Sequence, residues 1–110
     1  MIEVIVLNYL KSVLDVPVFA ERQNEEPSEF VIIEKTGSNE VDCIQSATIT
    51  IQSYSDSLIH AITLNAKVKE AMRNITELAT VSDCSLNSDY NYTDQTEKKY
   101  RYQAIFDITY

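Results

Sequence analysis

The sequence predicts an α+β domain in which two helices pack on one face of a mostly antiparallel sheet, in the order α-β-β-β-α-β-β. Three observations predict it. Apolar residues recur at positions 2, 5, 6, 9, 10, 13 and 14, the spacing of one helical face. Two stretches, Ser46 to Tyr54 and Tyr100 to Tyr110, alternate apolar and polar residues in the manner of half-buried strands. A second helical pattern, over roughly 57–77, lies between them, and strands grouped on either side of a helix give an α+β arrangement.

The elements follow in order. The first helix is expected over 2–14, with Asn8, Lys11 and Ser12 on its solvated side, and Pro17 prevents its continuation. A short strand, PVFAER (17–22), and a charged turn around Pro27 lead to FVIIEK (30–35). That run is continuous in β-branched and aromatic residues and reads as a strand covered on both faces. TGSNEVD (36–42) is the most turn-like segment, with Gly37 free to take positive φ, and reads as a mobile loop. In the next strand Ala47, Ile49 and Ile51 share one face; Ser46, Thr48, Thr50 and Gln52 share a wet one. Ser55 or Asp56 supplies the cap of the second helix. Leu58, Ala61, Ile62, Val68, Ala71, Met72 and Ile75 form its expected buried stripe, and Lys67, Glu70, Arg73, Asn74 and Glu77 its solvated side. A strand over 79–86, a polar connection over 87–98 and the closing strand form an antiparallel hairpin. Tyr102, Ala104, Phe106 and Ile108 are the expected inward set of that closing strand.

Size and composition narrow the function. With 110 residues, one Gly and two Pro, the chain is one domain without a low-complexity linker. Seventeen acidic against nine basic residues give a net charge of -8, which disfavours tight binding to nucleic acid or to anionic membrane surfaces. The apolar opening carries Glu3 where a signal peptide needs basic residues, and no stretch approaches the roughly 20 apolar residues of a membrane span. A cytoplasmic protein is expected, in which Cys43 and Cys84 are free, partly buried thiols. Their separation also permits a bond across the sheet.

The residues that commonly carry chemistry do not assemble into a motif. His60, the only histidine, is expected at the surface of the second helix's first turn, without the oriented partner network catalysis requires. One histidine and two cysteines cannot supply a four-ligand zinc site. Asp89 to Asp94 loosely resembles a calcium loop, but Asp94 stands where Gly is needed and Lys99 and Tyr100 where the bidentate Glu should be. A single glycine excludes the Gly-rich phosphate loops. The expectation is a protein without catalytic residues, cofactor or metal.

Several segments together resemble one family. VPVFAER, the acidic turn, FVIIEKTGS, ATITIQSYSDSLIHAITLNAKVKEAM, NSDYNYTD and YRYQAIFDITY are similar to the tail-completion (tail-terminator) or minor capsid proteins of long-tailed phages and prophages of Gram-positive bacteria. The resemblance covers nearly the whole chain and is most specific in IEKTG, IQSYSDSL and YRYQAIFDITY. It implies a helices-on-sheet fold and a homo-oligomeric ring, expected to be a hexamer, that caps the tail tube and docks it to the head-side neck or connector protein. The implied location is the virion tail or neck, and the host cytoplasm during assembly. A head-completion or connector-side role is the nearest alternative, and a small enzyme or regulatory module of a mobile element a more distant one.

A closed ring needs two different patches that meet head to tail. The candidates are the polar face bearing Thr48, Thr50, Gln52 and Gln103, the flanking aromatics, and the segments 36–42 and 87–98. Within these, Gly37, Asn39, Tyr54, Tyr90, Tyr92, Lys98, Tyr100, Arg101 and Tyr110 are the candidate oligomer or partner contacts.

Overall fold

A computed structural model describes residues 2–97 and 99–110. Helix α1 (Ile2–Val13) is followed by strands β1 (Val18–Phe19), β2 (Phe30–Val41) and β3 (Ile44–Ser55), helix α2 (Leu58–Arg73), a 3-10 turn (Ile75–Glu77), β4 (Asp83–Asn91) and β5 (Tyr100–Thr109). The five strands form one sheet in the order β1-β2-β3-β5-β4, antiparallel except for the short β1–β2 pairing. The α+β class and the order of elements are those the sequence predicts.

Both helices cover the same sheet face. Ile2, Val6, Tyr9 and Leu10 of α1 and Leu64, Val68 and Met72 of α2 join Val31, Ile33, Ala47, Ile49, Ile51, Ala104, Phe106 and Ile108 in the main core. Burying each large apolar side chain contributes about 1.5–3 kcal/mol. The Tyr9 hydroxyl donates to the Ala71 carbonyl at 2.9 Å and ties α1 to α2, and burial raises the pKa of its phenol. The closing strand lies between β3 and β4, so Ala104, Phe106 and Ile108 are interior while Tyr102 is half-buried.

Segment 36–42 is not a loop. Strand β2 runs through it to Val41, and the chain reverses only at Asp42 and Cys43, both with positive φ (53° and 65°). Such a two-residue connection matches the twist of a hairpin. Gly37 does not take positive φ; it follows a bulge at which Thr36 is the extra residue opposite β3. β1 has two residues in place of six, because the chain leaves the sheet after Phe19. β4 lies at 83–91 in place of 79–86, since β5 offers ladder partners as far as Tyr102, opposite Asn91. The polar connection therefore shrinks to 92–99.

Helix α2 is capped by Ser57, whose Oγ accepts from the His60 amide, while Ser55 Oγ accepts from the Ser57 amide. Its buried set is Ala61, Leu64, Asn65, Val68 and Met72. Leu58 and Ile62 lie outside, because the helix meets the sheet along the 61-64-65-68-72 ridge. The cysteines are free; Cys43 sits exposed at the hairpin tip, not partly buried, and Cys84 is half-buried.

Candidate oligomerisation surfaces

The sheet face away from the helices divides into a closed end and an open end. At the closed end Phe30 and Tyr54 stack with centroids 4.6 Å apart and rings 9° from parallel, with Phe19 beside Phe30. Three cations cover this pair: the Arg22 guanidinium 4.7 Å from the Tyr54 centroid, Arg101 at 5.5 Å, and Lys99 Nζ 5.6 Å from Phe30. Arg22 donates to Glu26 through Nη2 (2.7 Å) and to Glu97 through Nη1 (3.2 Å). The hydrogen bond from Arg22 holds the Glu26 carboxyl below its usual range and raises the guanidinium further. Lys99 reaches Asp56 at 3.1 Å. These contacts bring Arg22 and Glu26 from one segment, and Glu97 and Lys99 from another, over the aromatic pair.

Tyr54 is therefore 2% exposed and is no surface contact of the folded chain. The alternating pattern placed it correctly on the polar face but could not show that distant loops close over that end. Its hydroxyl begins a hydrogen-bonded row across the strands. Arg101 Nη1 donates to Tyr54 Oη (2.9 Å), which donates to Gln52 Oε1 (3.2 Å). Gln52 Nε2 donates to Gln103 Oε1 (2.8 Å), and Gln103 Nε2 to Tyr90 Oη (2.6 Å). This row buries Gln103, and a Thr36–Thr50 hydroxyl contact at 3.3 Å accompanies the burial of Thr50, so the expected wet face is only partly wet. Farther along, Asp107 accepts from Thr48 (3.3 Å) and Asn87 (3.1 Å). The result is a polar surface whose side chains are bonded to one another.

The open end is a projecting hairpin. From Glu34 to Gln45 every residue of β2, the turn and the start of β3 is exposed. Its tip carries Val41 at 59% and Ile44 at 58% exposure, on a molecule whose longest dimension is 45 Å against 25 and 24 Å. A second apolar group, Leu58, Ile59 and Ile62, is exposed on the first half of α2. Exposed apolar clusters of this sort mark contact sites more often than isolated apolar residues do.

The remaining candidates fall in different places. Asn39 is exposed on the projecting hairpin, and Gly37 is at its base. Tyr90, Tyr92 and Tyr100 are 40–48% exposed, with Tyr90 and Tyr92 edge-to-face at 5.8 Å. Arg101 is half-buried, its guanidinium 4.5 Å from the Tyr92 centroid and its Nε donating to the Tyr92 carbonyl. Tyr110 is half-buried against the main core, and Lys98 lies outside the described residues. The structure thus gathers Tyr90, Tyr92 and Arg101 at one corner, while Asn39 and Tyr110 stand apart.

Other polar groups serve the fold. Asp89 accepts from Lys69 Nζ and Asn65 Nδ2, each at 2.9 Å, so the stretch that resembles a calcium loop begins as the end of β4, with its first Asp engaged by α2. The Lys69 hydrogen bond lowers the Asp89 pKa against the opposing effect of burial. Burial raises the Cys84 thiol to about 11, which disfavours a nucleophilic thiolate. His60 is exposed. A cleft of about 550 Å³ between the helices is lined by Tyr9, Val13, Leu14, Ala71 and the rim residues Asp15, Lys67, Glu70 and Glu77, among others. Among the described residues no group of three or more His, Cys, Asp or Glu is placed to hold a metal ion, and no helix is long and apolar enough to cross a membrane. Compared with protein-family models and with curated proteins, the chain matches none of them.

Proposed function

We propose that this chain is a tail-completion protein: a structural component that closes into a homo-oligomeric ring of six, caps the phage tail tube and joins it to the head-side connector. The reading joins the family resemblance of the sequence to one structural observation, which is the projecting β2–β3 hairpin. Its tip residues Val41 and Ile44 are exposed and contribute nothing to the main core, so a partner is the simplest use for them. β3 pairs with β5 only from Ser46 onward, so the tip around Val41 and Ile44 is two-stranded; a hairpin end of that kind is marginally stable in water, and a contact in an assembly would supply what the chain's own core does not.

The charge supports the same reading. A ring around the path of exiting DNA must not retain it, and -8 per copy repels phosphate. The partners are then other copies of the chain, the tail tube protein and the neck protein, and the work is done by shape.

The test is the mass of the particle in solution with and without purified tail tubes, together with electron micrographs of tails assembled in its absence. Six copies on tube ends, and overgrown tubes without the protein, are the expected results. A chain that stays single beside tubes refutes the proposal, and twelve-fold rings would assign it to the connector side.

A further inference from the structure

The sheet has two free edges of matching length. On one side the parallel ladder to β1 covers Val31 and Ile32 and takes up the Ile33 amide, so β2 has no outer partner from Glu34 to Val41. On the other side β4 is terminal from Asp83 to Asn91. Among the described residues neither stretch has a further strand paired on its outer side. Long unpaired edges are templates for another strand, which proteins usually blunt or cover.

Strand direction suits them to each other. From β2 to β3, β5 and β4 every pairing is antiparallel, so β4 runs opposite to β2. A copy rotated about an axis along the strands would place its β2 antiparallel to the first copy's β4, continuing the sheet without a break in pattern.

Each edge also carries one bulge, Thr36 in β2 and Asn87 in β4. A bulge switches which residues face the helices. Lys35 and Ser38 of β2 pair with the core positions Ile49 and Ala47, whereas Gly37 and Asn39 pair with Thr48 and Ser46 on the polar face. Leu86 and Asp89 of β4 pair with Phe106 and Ala104 on the helix side, whereas Ser85, Ser88 and Tyr90 pair with Asp107, Ile105 and Gln103 on the polar side. One antiparallel register, with Val41 opposite Asp83 and Glu34 opposite Tyr90, keeps both faces in step across both bulges. It sets Lys35 against Asp89 and Asn39 against Ser85. A slip of two residues in one direction sets polar-face Thr36 against helix-side Leu86; in the other it sets helix-side Ser38 against polar-face Ser88.

We infer that β4 of one copy pairs antiparallel with residues 34–41 of β2 in the next, so that the ring is closed by one continuous sheet in the register that aligns the two bulges. This rests on the ring reading above and names the surfaces that make it. The polar faces would then form one continuous wall of the ring, with the helices on the other side, and Lys35, which reaches Glu3 at 3.5 Å, would lie opposite Asp89, which Lys69 holds at 2.9 Å, so that opposite charges and not like ones meet across the seam.

Paired cysteines test the register. In a Cys43→Ser/Cys84→Ser background, Asn39→Cys with Ser85→Cys is to be oxidised beside purified tubes. Cross-strand neighbours bring Cβ atoms within disulfide reach. A ladder of covalent multimers ending at the ring size is expected, with none from Asn39→Cys paired with the exposed α2 position Ala66→Cys. On the unaltered chain, amide exchange over 34–41 and 83–91 is expected to slow by about tenfold or more in the ring relative to the dilute protein. A particle of ring mass with unchanged exchange at both edges, or with no ladder from the 39/85 pair, overturns the edge pairing and leaves the ring intact. Protection of one edge only, in a chain that does not self-associate, shows a tube strand in that place and overturns it as well. Absence of any ring beside tubes removes both proposals.

Discussion

Strands β2 and β3 pass through two unlike environments. At the body end Phe30, Val31, Ile32 and Ile33 are all buried, two toward the helices and two toward the Tyr54 stack. At the other end the eight residues from Glu34 to Val41 are all exposed, held by the ladder to β3 and by a few surface polar contacts, among them Lys35 to Glu3 at 3.5 Å and the Thr36–Thr50 hydroxyl pair. Backbone pairing is continuous through both. The difference lies in what the side chains touch, and it teaches that strand formation in this chain does not depend on burial once a neighbouring strand is in place. The body is held by core packing, and the projecting end by its ladder with a few surface polar contacts. A contact surface suits the second region, where change costs the chain little.

That contrast can be broken first by removing the strand that ties the body together. Deleting residues 106–110 takes Phe106 and Ile108 from the core and the central ladder from both β3 and β4, and is expected to abolish cooperative unfolding. A truncated chain that melts like its parent would show the body to be less cooperative than its packing indicates. Phe30→Ala should cost about 3–5 kcal/mol in urea titrations, because it removes a fully buried ring and leaves Tyr54 without its stacking partner. A loss below 1 kcal/mol would mean that the closed end of the polar face is not part of the core.

Asp89→Asn probes a polar attachment of the body, where α2 holds β4. A loss of about 1.5–3 kcal/mol is expected at neutral pH, the range for hydrogen bonds to a charged group. Folding lowers the pKa of Asp89, so the unfolded chain protonates first as acid is added. The stabilisation is complete above the unfolded carboxylate value of about 4 and is lost as pH falls through the folded one. The Asp89→Asn penalty should therefore shrink in acid, and a penalty independent of pH between about 7 and 2 would argue against the ionised contact.

The smallest effect on stability belongs to the projecting end. Val41→Ser with Ile44→Ser is expected to change the stability of the isolated chain by no more than about 0.5 kcal/mol, as for surface positions generally. If the chain caps tail tubes as proposed, the same pair should impair capping, counted in micrographs as tubes longer than normal. A large loss of stability would place the tip in a contact within the chain and remove the contrast between the two ends.

Much of the fold was legible in the sequence because periodicity reports burial. The spacing of Ile2, Val6, Tyr9 and Leu10, the alternation of Ala47, Ile49 and Ile51, and that of Ala104, Phe106 and Ile108 each mark the side facing the core. The projecting hairpin left no such mark, since its side chains face solvent on both sides. Its polar residues and Gly37 carry the composition of a loop, and Asp42 and Cys43 are not a usual turn pair. The α2 stripe was misread for a related reason. Leu58 and Ile62 are apolar but exposed, and Asn65 is polar but buried, so hydrophobicity and burial part company there.

Of the surface candidates, Tyr90, Tyr92 and Tyr100 were visible as aromatic residues in polar surroundings. The burial of Tyr54 was not, because Arg22, Lys99 and Arg101 reach it from segments far apart in the chain. The sequence by itself determined the class of fold, the faces of α1, β3 and β5 that point inward, and an acidic balance that opposes nucleic-acid binding. These follow from local spacing and from charge, neither of which needs long-range contacts. Only the tertiary structure decided where β2 ends, which end of the polar face is closed, and which two strands stand free at the sheet edges. Each of those depends on a strand or loop finding its neighbour, and pairing between distant segments is set by the whole chain at once.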